Sequence, residues 1–359
     1  MPLNKIRKLL QDKGLDGVLL RKKNNFSWVT GGLENHIVRS APEGVADLVV
    51  LPDEVVLVTT KTEERRIMEE ELSNWDENVR IVCEDWFTGT DALLEDLGSG
   101  RKMGTDTPFL DWIDVTAELR TVRSTLLPAE ICRYRELSRD AAWVLESACK
   151  EIQPGQTEHE IAGLIAKKAV SLNIKPQVLL VATDERIYHY RHPIPTAKPL
   201  KKHALVVICA ERGGLVANLT RVVHFGPLPE ELTDFKERLA RIDSAMILAT
   251  VPGARTGDVI SRGIQQYEAE GRPEDWKFLH QGGPTGYDSR EFIATASSDE
   301  IVKENQVFTW NPSLPGVKSE DTFLVKKDGF EILTQSDNWP LQRVMLEGRE
   351  LLRPDILIR

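Results

Sequence analysis

Leu3, Ile6, Leu9 and Leu10 recur at helical spacing among Lys and Arg, and this predicts a helix over residues 3–13 that Gly14 ends. Gly17-Val18-Leu19-Leu20 reads as a short buried strand. Two β-rich runs, residues 46–51 and 55–60, flank Pro52-Asp53-Glu54 and predict a hairpin. A charged helix over 63–72, a strand over 80–83, a helix over 91–97 ended by Gly98-Ser99-Gly100, and a strand over 102–106 follow. The alternation makes this first part a small α/β domain, assigned to residues 1–123. The pattern changes after Arg123. Residues 128–151 form a long helical run, with Pro128 in its first turn, where its missing N–H costs nothing. Thr157 followed by Glu160 is a capping-box start for a helix over 158–172. Strands are expected at 178–182, 204–209 and 215–225, helices at 230–250 and 255–271, and strands at 308–310, 322–325 and 331–334. Residues 124–359 therefore read as an α+β domain.

Composition narrows the function. With 46 Lys+Arg against 56 Asp+Glu the net charge is −10, which argues against a nucleic-acid binder. A 41% apolar, 28% charged chain is that of a folded globular protein. No run reaches the roughly 18 apolar residues that span a bilayer, so no membrane association is expected. The first residues lack the apolar segment of a signal peptide. The cysteines, Cys83, Cys132, Cys149 and Cys209, show no CxxC pairing. The expectation is a reduced, cytoplasmic protein without a disulfide framework.

A series of short motifs runs through the chain: Ile152-Gln153-Pro154-Gly155-Gln156-Thr157-Glu158, Leu219-Thr220-Arg221, Val251-Pro252-Gly253, Gly283-Pro284-Thr285-Gly286-Tyr287 with Arg290-Glu291, Phe308-Thr309-Trp310-Asn311-Pro312, and Lys318-Ser319-Glu320-Asp321-Thr322. In this order and approximate spacing they resemble the pita-bread superfamily of aminopeptidase P, prolidase and creatinase, as a divergent branch lacking most metal ligands. The resemblance covers the whole chain. It implies a creatinase-type N-terminal α/β domain, an α+β pita-bread C-terminal domain, and a homodimer in which Trp28, Gly31, Gly32 and His36, in a loop after the first strand, approach the partner's pocket.

The metallopeptidases of this superfamily hold two metal ions with two Asp, one His and two Glu. In this chain the first Asp position falls at Cys209 or Val207, and the second at Asn218. The His motif reads Gly282-Gly283-Pro284-Thr285-Gly286, with Pro284 or Thr285 at the ligand position. The first Glu is Asn311, and only Glu320 remains. One carboxylate does not hold a divalent pair, so no metal and no other cofactor is expected. Cys209, His280 and Glu320 are an alternative mononuclear zinc set.

The same register nominates a polar pocket. His192 matches the superfamily's pocket His, with His189 as the competing assignment, and an imidazole can take and return a proton at a scissile C–N bond. Arg290 can fork onto a substrate carboxylate or form an internal salt bridge. His280 is a second acid/base candidate, and Glu320 with His280 would position water. Asn218, Thr220, Gln281, Tyr287, Asn311 and Cys209 complete the substrate-binding set. Cys209 could pair with His192 as thiolate and imidazolium, or serve as a small buried hydrophobe. Glu320 requires a compensating cation, with Lys318, Arg221 and Arg290 available. The leading expectation is a metal-independent hydrolase cleaving a C–N bond in a small carboxylate-bearing amide, peptide, urea or guanidine. The alternatives are a non-catalytic module binding a peptide or protein, and an Xaa-Pro peptidase with an atypical metal site.

Overall fold

The computed structural model describes residues 1–359, which divide into two compact units, residues 1–124 with 213–215, and residues 125–212 with 216–359. The first unit is built on six strands, β1 (Gly17–Lys22), β2 (Glu43–Val50), β3 (Val55–Thr60), β4 (Val79–Glu84), β5 (Met103–Thr105) and β6 (Ile113–Asp114), in the order β4-β3-β2-β1-β5-β6. Only β2 runs antiparallel to its neighbours. The helices are α1 (Pro2–Lys13), α2 (Lys23–Thr30), α3 (Lys61–Arg66), α4 (Asp91–Gly98) and α5 (Thr116–Arg123). Helix α1 buries Leu3, Ile6, Leu9 and Leu10, and Gly14 ends it at φ 59, a left-handed conformation that glycine adopts without a Cβ penalty.

Helix α2 departs from the expected loop. Lys23-Asn24-Asn25-Phe26 carries little helix propensity. Tertiary hydrogen bonds set the conformation: buried Asn25 donates to Asp106 at 2.8 Å and accepts from Arg123 at 2.6 Å. Trp28 is fully buried in the same helix. It belongs to the core, in a helix where a loop was expected.

The second unit contains α6 (Pro128–Glu151), α7 (Glu158–Ser171), α8 (Glu185–His189), α9 (Glu230–Ala249) and α10 (Thr256–Ala269). One sheet is formed by β7 (Lys175–Thr183), β8 (His203–Arg212), β9 (Leu215–His224) and the terminal β18 (Leu357–Ile358). A second has the order β10 (Gly282–Thr285), β11 (Val307–Trp310), β14 (Asp321–Lys326) and β15 (Gly329–Ile332). Two hairpins, β12 (Ser313–Leu314) with β13 (Val317–Lys318) and β16 (Leu341–Leu346) with β17 (Arg349–Pro354), complete the unit. The β16–β17 hairpin was not anticipated. Its signal was the turn pair Glu347-Gly348, both at positive φ (53° and 74°), as a two-residue hairpin turn requires.

The expected capping box forms at α7: Glu160 N–H donates to Thr157 Oγ1 at 3.2 Å, and Thr157 N–H donates to Glu160 Oε2 at 2.7 Å. Two arginines knit the sheets and helices internally. Arg221 donates to Glu146 at 3.0 Å and to Asp321 at 3.0 Å. Arg353 donates to Asp243 at 2.7 Å and to Asp321 at 2.8 Å. Arg221 is thus committed to the core and is not the cation that compensates Glu320.

Candidate active site

Strands β8 and β9 meet at the two-residue turn Gly213-Gly214, and counting away from it sets Cys209 opposite Asn218. Both are buried. Asn218 sits in a ring of hydroxyls. Its Nδ2 donates to Thr285 Oγ1 at 3.0 Å, its N–H donates to Thr322 Oγ1 at 2.8 Å, and Thr322 Oγ1 donates back to its carbonyl at 2.9 Å. Thr309 and Thr322 pair directly across β11 and β14, with hydroxyls 3.1 Å apart. Thr309 and Thr322 were not nominated from sequence, and Thr285 entered only as a possible metal-ligand position. Thr between Phe308 and Trp310 in a two-residue alternation was the available signal. Asn218 Oδ1 is buried without a partner.

Glu320 is the centre of the cluster. Its Oε2 accepts from Thr220 at 2.7 Å and from Lys318 Nζ at 2.6 Å, and its Oε1 accepts from Arg290 at 2.9 Å. Glu320 is buried, and the Lys318 and Arg290 side chains beside it are 7% and 10% exposed. Burial alone would raise the carboxyl. Lys318 and Arg290 overcome that and hold it at about 2. Of the two roles foreseen for Arg290, the structure contains the internal salt bridge. One terminal nitrogen is spent on Glu320 and reaches Asn311 Oδ1 at 3.5 Å, the other donates to the Ser289 carbonyl, and Nε is buried without a partner. A fork of two free nitrogens aimed at a substrate is not available in this arrangement.

His192 and His280 face each other with ring centroids 5.8 Å apart. The loop that carries His192 is pinned by buried Glu158, whose Oε2 accepts from the N–H and hydroxyl of Thr196 at 2.9 and 2.7 Å. Glu158 therefore does more than begin α7. His189 packs its ring against Tyr190 instead. Burial, then Lys318, lowers the His192 imidazole. Burial, Arg290, His192 and Lys318 push His280 down to about 4. Both rings are thus neutral at pH 7. His280 Nδ1 is buried without a partner.

Three nominated residues play other parts. Gln281 donates to the carbonyls of Trp276 and Leu279 at 3.0 and 2.7 Å and accepts from Tyr267 at 3.1 Å, so its amide is consumed in the fold. Tyr287 donates to Glu130 at 2.7 Å and accepts from Arg133 at 2.9 Å on α6. Neither is positioned as a substrate-binding group. Cys209 lies within the electrostatic reach of Glu320, but burial and that carboxylate push its thiol up to about 12. The proposed thiolate–imidazolium pair is corrected to a protonated, buried thiol.

The donor set does not fit the two-metal centre that the fold implies. The ligand positions present a thiol, the Asn218 and Asn311 amides, a β10 segment without imidazole, and one carboxylate already shared by two cations. No group of three or more His, Cys, Asp and Glu side chains is placed to hold an ion, so the mononuclear set Cys209, His280 and Glu320 is not assembled.

The depressed imidazoles fix a pH dependence. The unfolded chain takes up protons near pH 6.5, while the native His280 resists down to about 4. Stability is therefore lost as pH falls from about 6.5 toward 4. Glu320 adds its own loss only below about 4.5, as pH falls toward 2. Replacing His280 with Gln should flatten the decline in denaturation midpoint between about pH 6.5 and 4.5. An unchanged slope would contradict the assignment.

Residues 133–327 match metallopeptidase family M24, and residues 2–125 match the creatinase/prolidase N-terminal domain. An Xaa-Pro dipeptidase of Pyrococcus furiosus is 24% identical over 358 residues, covering 93% of this chain and 98% of the relative. The crystal structure of the prolidase from Pyrococcus horikoshii OT3 superposes with a TM-score of 0.78 at 18% identity, covering 94% of this chain and 98% of that one. The N-terminal domain of FACT complex subunit SPT16 from Cicer arietinum (chickpea) shares the fold with a TM-score of 0.68 at 14% identity, over 93% and 96% of the two chains. No helix is long and apolar enough to cross a membrane. With its creatinase-type N-terminal domain and pita-bread C-terminal domain, the chain belongs to metallopeptidase family M24.

Proposed function

We propose that this chain hydrolyses a short peptide of the Xaa-Pro class, with Lys318 and Arg290 supplying the fixed positive charge that a metal pair supplies in its family. The observation that carries this is the Lys318–Glu320–Arg290 cluster, in which two cations share one buried carboxylate. The cluster is left with a net charge of +1, suited to a developing oxyanion. The relatives' Xaa-Pro dipeptidase names support a peptide substrate ahead of the ureas and guanidines expected from sequence.

In this mechanism His192, neutral at pH 7, takes a proton from a water that attacks the scissile carbonyl carbon. The carbonyl oxygen gains the electron pair and is stabilised by Lys318 and Arg290. The imidazolium then returns its proton to the amide nitrogen as the C–N bond breaks, releasing acid and amine. Glu320 Oε1 carries one hydrogen bond and keeps a lone pair with which to orient water.

One observation favours a second reading, a non-catalytic peptide-binding module: Arg290 is closed on Glu320, so an anion entering the pocket must compete with it. Hydrolysis separates the two. The protein, stripped with a chelator, is assayed against a panel of Xaa-Pro dipeptides with proline release as the readout. Turnover in the chelator is expected. Binding without release across the panel would favour the module, and turnover only after manganese is restored would overturn the metal-free reading.

A further inference from the structure

In the N-terminal unit, strands β1, β3 and β4 run in the same direction, and their carboxyl ends converge on a cavity of about 600 Å³. Arg21 comes from the end of β1, Thr60 from the end of β3, Thr62 from the first turn of α3, and Trp86 and Thr90 from the segment after β4. Open α/β sheets bind ligands at this edge, and the volume is that of a small-molecule pocket. The sheet face is otherwise apolar: Leu19, Val49, Val56 and Val58 pack with Leu94 and Leu97 of α4. Asp47 breaks that face, 5% exposed, pairing in register with Val58. A carboxylate on a core face is costly unless paired and hydrogen-bonded.

Its pairing is incomplete. The Arg21 Nε lies 3.3 Å from Asp47 Oδ2 but makes no hydrogen bond, and the same guanidinium is shared with Asp91 at 3.6 Å. Burial pushes the Asp47 carboxyl up to about 7; Arg21 opposes this, while Asp106, Glu43 and Asp91 add to it. Two carboxyl groups, Asp47 and Glu63, line the cavity against one cation, Arg21. Its wall offers Trp86, whose indole is 73% exposed and packed edge-on against Phe87 at 5.7 Å. A buried carboxylate and an exposed aromatic ring lining one cavity are complementary to an organic cation.

We propose that the N-terminal unit contains a second binding site, for a small amine whose ammonium pairs with Asp47 and whose apolar body lies against Trp86. The site is independent of the pocket around Glu320 and does not rest on the function proposed for it.

Ligand-observed NMR with the full chain tests this, using phenethylamine, phenylpropionate and phenylethanol as probes of matched shape. Only the amine is expected to bind at concentrations up to about 10 mM. Asp47→Asn should weaken it at least about tenfold, as the loss of a buried charge pair implies. Trp86→Ala, at an exposed position that folding does not need, should weaken it about threefold or more. Binding of the carboxylate or alcohol as tightly as the amine, amine binding unaffected by both variants, or no amine binding would each overturn the proposal.

Discussion

Replacing Lys318 with Met should destabilise the protein by about 3 kcal/mol at pH 7, the scale set by breaking a buried ion pair and leaving one charge behind. Lys318 and Glu320 are 7% and 3% exposed at their side chains. Without the ammonium, Glu320 keeps Arg290 and Thr220 but remains an under-compensated anion in a buried site. The penalty should shrink on acidification. Once its main cation is gone the Glu320 carboxyl moves up from about 2, and the group escapes by taking a proton. A Lys318→Met/Glu320→Gln double variant should recover at least half of the loss, because the stranded charge is removed together with its partner. Urea denaturation at pH 7 and pH 4.5 measures all of this. A single variant within about 0.5 kcal/mol of the parent would place Lys318 among solvated surface pairs, contrary to the geometry.

The second large effect is on turnover. His192→Ala should lower kcat by about 10²–10⁴-fold, the usual contribution of a general acid/base. KM should change little if the ring transfers a proton and does not anchor the peptide. The wild-type rate should fall with acidification below about pH 6.5 as the rings lose their basic form, with the apparent pKa displaced downward in keeping with the depressed His192 and His280. Residual activity in the variant should lose the His192 part of that limb. A His192→Ala enzyme with unaltered kcat would remove His192 from the chemistry and return attention to His280.

Periodicity and turn chemistry made most elements legible: the α1 stripe, the β2–β3 hairpin and the α7 capping box all follow from local residues. Helix α2 was hidden because its stability resides in Asn25 contacts with Asp106 and Arg123, more than 80 positions away. The motif order led to Thr220, Arg290, Asn311 and Glu320 in one cluster and to Asn218 in a ring of hydroxyls. It could not tell which polar atoms remain free there, since that is decided by three-dimensional partners. Gln281 and Tyr287 share the motif's register, yet each finds its hydrogen bonds in neighbouring helices and loops. Arg290 shows the same limit, because its charge and position were readable while its commitment to Glu320 was not.

If Lys318 and Arg290 supply the positive charge that metal ions supply in the family, the protein needs no ion for stability. Thermal unfolding of chelator-treated protein, titrated with manganese, cobalt or zinc alongside elemental analysis of the untreated protein, tests it most directly. Sub-stoichiometric metal is expected, with a Tm that does not rise on adding ion. A metal pair held in the native state at about 100 times its dissociation constant would add about 2.7 kcal/mol. One or two tightly held ions per chain, with a rise in Tm of several degrees on restoring them, would contradict it.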